Sequence, residues 1–185
     1  AFVARTYGLK EEWLCQVKRY DHKKKRIGFV SGDFREHAVG FLLPTVLQSI
    51  DRERYELFAY DFTVEDGSSH RLSLLAMFEH VRPVHAMSDL EAAQCVLHDE
   101  IDVLIDLHGL SAGARPGIFA LHPAPKQGTY LGFIGTTGMP WFDFVITDRH
   151  AMPPELVEFF TEKPKYIDSS FIPLTLPDQD LSTVT

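Results

Sequence analysis

Apolar residues in this chain fall into short unbroken runs that are separated by stretches with helical spacing. The unbroken runs are about four to eight residues long and rich in β-branched and aromatic side chains, which is typical of strands buried in a sheet. The predicted strands are 26–31, 54–61, 80–84, 101–107, 127–131, 144–148 and 165–167. Helical spacing predicts helices at 41–50, 70–78, 90–99 and 116–121, and a last short helix that starts at Pro153.

The alternation of strands and helices favours a doubly wound, mainly parallel α/β sheet. A chain of 185 residues suits one domain, here placed at residues 26–172. An amphipathic helix around Lys10–Tyr20 is predicted within a linking segment, residues 1–25, and residues 173–185 are predicted to form an irregular tail. Ser88 and Glu91 have the spacing of a capping box at the start of the 90–99 helix.

Three glycine-containing loops follow predicted strands: Gly32–Ala38, His108–Arg115 and Gly132–Gly138. Ligands of parallel sheets bind beyond the carboxyl ends of the strands, and glycine allows the backbone to approach a ligand closely. Asp33 and His37 share the first loop. A carboxylate beside an imidazole can accept the proton of a hydroxyl nucleophile or orient that hydroxyl. Alternatively, Asp33 caps the helix that follows.

The second loop carries further polar candidates. Asp106 ends its strand and could contact a ligand or hold its own loop in place. His108, beside Gly109, slightly favours a binding site over a place in the core. Arg115 could neutralise an anion or bind Asp106, and the sequence favours neither.

Several classes of function are disfavoured. The net charge of −8 argues against a broad nucleic-acid footprint, which needs a basic surface. The histidines and the two cysteines lack the spacing of metal ligands, so no metal site is expected. No Walker loop and no intact Gly-x-Gly-x-x-Gly follows the first strand, which weighs against a P-loop NTPase and an NAD enzyme.

The sequence also bears on location. No apolar stretch has the length of about 20 residues that a membrane span needs, and no secretory signal is visible. Two unpaired cysteines are typical of a reducing compartment, so the cytoplasm, or the nucleus, is expected. The sequence begins at Ala1 without methionine, so we expect it to be cut from a longer protein.

Ordered motifs across residues 26–170 resemble a known family. The first block is RIGFVSGDF followed by HAVG, over residues 26–40, and the second is DLHG followed by AGAR, over residues 106–115. The third contains FALHPAPKQ, LGFIGTTG and DFVITD, within residues 119–148. These blocks resemble the N-terminal catalytic lobe of the O-linked N-acetylglucosamine transferases and SPINDLY-type proteins.

The resemblance implies a Rossmann-like lobe, one of the two lobes of a glycosyltransferase-B enzyme. It implies transfer of N-acetylglucosamine from UDP-N-acetylglucosamine to Ser or Thr hydroxyls of acceptor proteins, with inversion and without another cofactor. A SPINDLY-like lobe would instead use GDP-fucose. Family members have a second lobe, often with tetratricopeptide repeats before the first, and neither is present in these 185 residues. Neither nucleic acid nor a membrane is an expected partner.

The resemblance also implies roles for single residues. His37 and Asp33 match the proposed catalytic positions, and whether either acts as the base stays open. Ala38, Val39, His108, Leu131 and Gly132 are the implied substrate-binding residues, and Val39 departs from the Thr of the animal enzymes. The second lobe of the family carries most nucleotide contacts, including a lysine at the diphosphate. We therefore expect the isolated chain to be inactive, since only Arg115 and Lys126 are near candidates for stabilising the leaving group.

Two other functions remain open. The lobe could be a non-catalytic module that binds a partner or regulates a complete transferase. Much more weakly, the chain could be an unrelated nucleotide-binding α/β domain, which the ordered motif blocks disfavour. An exposed apolar face where a second lobe could dock would favour the enzyme over the module.

Overall fold

Seven parallel strands form one sheet at the centre of the molecule. The structure, a computed structural model, describes residues 13–174. The strands are β1 (Lys25–Ser31), β2 (Tyr55–Asp61), β3 (His80–Pro83), β4 (Val103–Asp106), β5 (Lys126–Thr129), β6 (Phe144–Thr147) and β7 (Lys163–Tyr166). Their order in the sheet is β3-β2-β1-β4-β5-β6-β7, and every neighbouring pair is parallel. The predicted doubly wound α/β fold is confirmed, and the sheet is parallel throughout the part described.

Helices cover both faces of this sheet. They are α1 (Ala38–Ser49), α2 (Ser69–Leu75), α3 (Asp89–His98) and α4 (Pro116–Ala120), followed by a 3₁₀ helix (Pro154–Phe159). One apolar cluster packs between the sheet and α3 and α4, and it includes Tyr60, Leu104 and Phe119. The other packs under α1 and α2 and includes Phe29, Leu43 and Leu57. Burial on both faces explains why the strands are continuous apolar runs without alternation.

The predicted capping box at the start of α3 is confirmed. The hydroxyl of Ser88 accepts a hydrogen bond from the Glu91 N–H at 3.3 Å, and the Glu91 carboxylate accepts one from the Ser88 N–H at 2.8 Å. Two backbone donors that the first helical turn leaves unpaired are thereby satisfied.

The start of α1 differs from the prediction. The helix begins at Ala38 and not at residue 41, so Pro44 lies inside it. Proline has no N–H to donate to the carbonyl four residues earlier, which is that of Gly40. His70 from α2 takes over this carbonyl, with its Nε2 atom 3.0 Å from the Gly40 oxygen. A side chain of α2 thus supplies the hydrogen bond that the backbone of α1 lacks at Gly40.

The predicted helix around Lys10–Tyr20 is not formed over residues 13–20, which are irregular, and residues 10–12 lie outside the described residues. The N–H groups of Leu14 and Cys15 donate to the carbonyls of Leu121 and His122 at 2.9 and 3.0 Å. The ring of Trp13 stacks on that of His122 with centroids 3.8 Å apart. Leu14 and Cys15 therefore pack on the domain from an irregular segment, which the apolar spacing alone does not distinguish from a helix. In the predicted tail, residues 173 and 174 are irregular, and residues 175–185 lie outside the described part.

Candidate active site

The three glycine-containing loops meet at the carboxyl edge of the sheet because they follow β1, β4 and β5, which are neighbours. The backbone nitrogen of Gly32 lies 2.8 Å from His108 Nε2, which joins the first loop to the second. The second and third loops touch where a Cβ atom on Gly109 would come within 2.5 Å of Phe133. The three loops that the sequence predicts to share one site are therefore neighbours in the structure.

Asp33 lies at the centre of this cluster and is 8% exposed. Its N–H donates to the hydroxyl of Ser31 at 3.0 Å, which holds the turn after β1. Carboxylate oxygen Oδ1 accepts a hydrogen bond from Arg35 Nη2 at 3.3 Å. The other oxygen, Oδ2, lies 3.5 Å from His37 Nδ1 and 3.4 Å from His108 Nε2. One carboxylate therefore faces two imidazoles and a guanidinium.

His37, not Asp33, caps helix α1. Its Nδ1 atom accepts a hydrogen bond from the N–H of Val39 at 3.3 Å. Since that N–H can only donate, Nδ1 carries a lone pair, and the neutral ring holds its proton on Nε2. The side chain of His37 is 41% exposed, and Nδ1 is the ring nitrogen that the cap occupies. Ala38 is exposed beside it, whereas Val39 is buried and offers its backbone to His37.

His108 is buried, with 3% of its surface exposed, and both ring nitrogens have partners inside the protein. Nε2 accepts from the Gly32 N–H, and Nδ1 lies 3.0 Å from the hydroxyl of Ser111. Burial lowers the pKa of His108 below its usual value, because the charged imidazolium is poorly solvated there, although the nearby Asp33 carboxylate opposes the shift. The ring is thus held neutral within the loop cluster.

Asp106 holds its own loop in place. Its two carboxylate oxygens accept hydrogen bonds from the N–H groups of His108 and Gly109, at 2.9 and 2.8 Å. Burial raises the pKa of Asp106 to about 7, although the two hydrogen bonds oppose the shift. Arg115, considered above as its partner, does not bind Asp106.

Arg115 instead anchors the start of α3. Its guanidinium donates to the Asp89 carboxylate at 2.8 Å and to the carbonyls of Val84 and Met87 at 2.8 and 2.7 Å. Lys126, at the amino end of β5, pairs with Asp143 at 3.0 Å. Both candidate cations are therefore committed to the protein itself.

Leu131 and Gly132 form a sharp turn at the carboxyl end of β5. Leu131 has φ +69°, and the Gly132 N–H donates to the Tyr130 carbonyl at 2.8 Å, which closes a γ-turn with a strained central residue. A Cβ atom on Gly132 would lie 1.8 Å from the carbonyl oxygen of Leu107. Only glycine allows the third loop to approach the second so closely.

Two residues in the cluster were not among the sequence candidates. The Arg35 guanidinium donates a hydrogen bond to the Asp33 carboxylate. The sequence could have indicated Arg35 as a site residue, because it lies between Asp33 and His37 in the same loop. Ser111 bonds the His108 ring, and only the folded turn brings the two together.

Among residues 13–174, no group of three or more His, Cys, Asp or Glu side chains is placed to hold a metal ion. No helix in that range is long and apolar enough to cross a membrane.

The fold and this loop cluster define a Rossmann-like α/β lobe whose site lies at the carboxyl edge of a parallel sheet. The chain belongs to glycosyl transferase family 41, whose family model matches residues 10–174. This agrees with the family resemblance found in the motifs.

Individual relatives agree with this membership. The probable UDP-N-acetylglucosamine–peptide N-acetylglucosaminyltransferase SEC of Arabidopsis thaliana is 38% identical over 76% of this chain and 14% of its own length. The corresponding Caenorhabditis elegans transferase is 37% identical over 80% of this chain and 13% of its own length. A probable transferase named SPINDLY, from Oryza sativa subsp. japonica, is 31% identical over 79% of this chain and 16% of its own.

A solved structure shares the fold. A mutant of the Thermobaculum terrenum O-GlcNAc transferase superposes with a TM-score of 0.84 and 34% sequence identity, over 95% of this chain and 34% of that one. The chain thus spans about a seventh of the length of the curated relatives described above.

Proposed function

We propose that this chain is the N-terminal catalytic lobe of an inverting protein O-glycosyltransferase, which moves N-acetylglucosamine from UDP-N-acetylglucosamine to Ser or Thr hydroxyls. The observation that carries the proposal is the juxtaposition of Asp33 and His37 at the carboxyl edge of the sheet, in a member of family 41. The proposed substrates are therefore a nucleotide sugar and a protein acceptor.

The reaction is a single displacement at the anomeric carbon of the sugar. The acceptor oxygen forms a bond to that carbon from one side, while the bond to the UDP oxygen breaks on the other, which inverts the configuration. The acceptor hydroxyl gives up its proton, and UDP departs with the electron pair of the broken bond. A positioned general base for this proton contributes roughly 10²–10⁴ in rate.

The contacts around Asp33 and His37 support different catalytic roles for the two residues. His37 Nδ1 accepts the Val39 N–H, so a neutral His37 offers a donor, Nε2–H, to a ligand oxygen. When ionised, the Asp33 carboxylate can only accept hydrogen bonds, and we assign proton acceptance to it. In this assignment His37 orients a substrate oxygen by donating a hydrogen bond to it.

The charges around the site support inactivity of the 185 residues alone. Departure of a diphosphate is favoured by fixed positive charge, and Arg115 and Lys126 are both paired with carboxylates. We propose that a second lobe supplies that charge. Large apolar side chains on loops at the carboxyl edge and on the first turn of α1 are at least half exposed: Phe41, Leu110 and Ile134. Exposed apolar side chains at this edge are suited to contact with another part of the polypeptide, which favours the enzyme over a non-catalytic module.

The alternative donor is GDP-fucose, used by a SPINDLY-like lobe. The SEC relative and the SPINDLY relative of Oryza sativa are both named as probable UDP-N-acetylglucosamine transferases, which supports UDP-N-acetylglucosamine as the donor. The expected cytoplasmic or nuclear location and the association with tetratricopeptide repeats stay predictions.

Two experiments test the proposal. The first measures the mass of the native polypeptide in its source cells with an antibody against this segment. A band well above 21.0 kDa is expected, whereas a band at that mass would leave a binding module as the remaining function. The second gives the native polypeptide each of the two sugar nucleotides and a Ser/Thr acceptor peptide.

The transfer assay has defined outcomes. N-acetylglucosamine on the peptide is expected, and transfer of fucose alone would replace the proposed donor. Asp33→Asn should lower kcat by about 10²–10⁴, while Asp168→Asn, an exposed residue near β7, serves as the matched control. Product formed by the 185-residue chain itself would overturn the proposed inactivity.

A further inference from the structure

Buried His108 and half-buried Ser111 form a pair beside the Asp33 carboxylate, with His108 Nε2 3.4 Å from Asp33 Oδ2. We infer that His108 is a positioning residue that holds the Gly32–Asp33 turn, and that Ser111 stabilises the imidazole tautomer in which it can do so by accepting the Nδ1 proton. The role in catalysis rests on the proposed function, because the turn carries the proposed base. The geometry of the turn itself does not depend on it.

The tautomer follows from the partners of the two ring nitrogens. Gly32 presents a backbone N–H to Nε2 at 2.8 Å, and a backbone N–H can only donate. Nε2 must therefore carry a lone pair, and a neutral ring then has its proton on Nδ1. That proton points at the Ser111 hydroxyl, 3.0 Å away, which accepts it. The Gly32 amide therefore fixes the neutral tautomer, and the Ser111 hydroxyl, which can donate or accept, adapts to it and stabilises it.

The surrounding contacts hold the ring in this orientation. The Asp106 carboxylate accepts the His108 N–H, and the His108 carbonyl accepts the Ser111 N–H at 3.1 Å, so the turn from 106 to 111 is closed by hydrogen bonds. The ring of Phe62 lies against the imidazole with centroids 5.2 Å apart. A Cβ atom on Gly32 would meet Phe62 at 2.6 Å, so the backbone approaches the imidazole through a gap that only glycine leaves.

This arrangement also separates His108 from the substrate. Both ring nitrogens are engaged and 3% of the residue is exposed, so a ligand has no free nitrogen to bind. His108 was predicted to contact substrate, and the inference assigns it a role through Asp33 instead. Protonation of Nε2 would break the Gly32 bond and direct a donor at Asp33 Oδ2, 3.4 Å away.

The charged and titratable groups near the ring determine the pH at which His108 becomes protonated. Asp33 favours protonation of His108, whereas Arg35, His37 and burial oppose it. Burial has the largest effect, so the neutral ring, which holds the turn, is the form present at neutral pH.

Nuclear magnetic resonance of the 185-residue chain tests the inference without any transferase activity. Ring ¹⁵N shifts of His108 at neutral pH should show a protonated Nδ1 and an unprotonated Nε2. The Gly32 amide should be protected from hydrogen exchange, and protection should fall about tenfold in His108→Leu, the change that corresponds to one lost hydrogen bond. His108→Gln keeps an acceptor at the position of Nε2 and should restore protection.

A second pair of variants examines Ser111. Ser111→Ala removes the acceptor for Nδ1–H and should raise the proportion of the other tautomer, whereas Ser111→Thr keeps the hydroxyl and should not. A ring protonated at Nε2 in the unmodified chain would overturn the inference, and this measurement requires no variant to fold. Gly32 protection that is equal in His108→Leu and His108→Gln would also overturn it.

The transfer assay on the native polypeptide connects this turn to catalysis. His108→Leu should lower kcat with little change in the KM for the nucleotide sugar, and His108→Gln should recover most of it. A rise in the KM for the nucleotide sugar, with kcat unchanged, would place His108 at the substrate and overturn the positioning role. If the resonance results hold and no sugar is transferred by the unmodified protein, the proposed function fails and the structural role of His108 does not.

Discussion

Asp33 and His37 lie side by side in one loop, with the carboxylate Oδ2 3.5 Å from the imidazole Nδ1, yet Nδ1 directs its lone pair at the N–H of Val39. The histidine therefore has two tasks, since Nδ1 caps α1 and the other ring nitrogen is the one we propose to contact the substrate. This relationship makes the contribution of His37 to stability separable from its contribution to chemistry.

Substitution of His37 should separate these tasks. His37→Ala removes the cap and should lower the free energy of unfolding by about 0.5–2 kcal/mol. His37→Asn keeps a cap acceptor and should retain the stability, while both variants lose the imidazole. Urea unfolding of the chain measures the first effect and sugar transfer by the native polypeptide the second. Equal stability of the two variants would contradict the capping role.

The repair of the Gly40 carbonyl by His70 predicts a specific loss. His70→Ala leaves the buried Gly40 oxygen without the donor that Pro44 cannot supply, and should cost about 1–3 kcal/mol. His70→Gln carries an amide N–H at a similar distance along the side chain and should recover part of this loss. Thermal or urea unfolding compares them, and a full loss in both would mean that the ring contact with Phe41, not the hydrogen bond, matters.

Gly132 should be intolerant of any side chain. In Gly132→Ala the new Cβ would lie 1.8 Å from the Leu107 carbonyl oxygen, so the β4 and β5 loops must separate. Gly67 provides the control, because its φ of +68° is unfavourable for alanine but its surroundings are open. Gly67→Ala should cost about 1–2 kcal/mol, and Gly132→Ala distinctly more, as measured by urea unfolding. Similar costs would show that the loops separate easily.

Asp106 predicts a pH dependence of stability. Its pKa rises from 3.8 to about 7 on folding, so between these values the folded chain keeps a proton that the unfolded chain has released. The folded state then binds more protons, and stability from this residue falls as the pH rises, levelling off above about pH 7.

Unfolding measured from pH 4 to pH 8 should show this slope, and Asp106→Asn should remove it. Asp168→Asn is the exposed control. The difference between the stability–pH curves of Asp106→Asn and Asp168→Asn isolates the contribution of Asp106. It removes the contribution of His108, whose lowered pKa makes stability rise with pH. An unchanged slope in Asp106→Asn would show that the two N–H groups keep Asp106 ionised.

Arg115 and Lys126 should differ in their contribution to stability. Arg115→Ala removes the hydrogen bonds that the guanidinium donates to the Val84 and Met87 carbonyls and to Asp89, and should cost about 1.5–3 kcal/mol. Lys126→Ala removes an exposed pair with Asp143 and should cost about 0.2–1 kcal/mol. A strong loss of nucleotide affinity in Arg115→Ala, without loss of stability, would instead place Arg115 at the diphosphate.

Local patterns succeeded where a property depends on neighbours in the sequence. The capping box of Ser88 and Glu91 needs a spacing of three residues and nothing else, and it is present as predicted. The predicted start of α1 at residue 41, where the apolar run begins, is wrong, because the helix begins at Ala38 and the His70 side chain, 26 residues beyond Pro44, makes an interior proline tolerable. The same limit applies to residues 13–20, whose apolar spacing suits a helix but whose partners are the carbonyls of Leu121 and His122.

The sequence by itself determined the α/β class, the positions of the strands and the three glycine loops, because burial on both faces and tight turns leave local signatures. The family followed from ordered motifs. Only the tertiary structure decided that β1, β4 and β5 are neighbours, that His37 and not Asp33 caps α1, and that His108 faces Gly32 and Ser111. These contacts join residues far apart in the chain, and their geometry depends on how strands cross over, which no local pattern specifies.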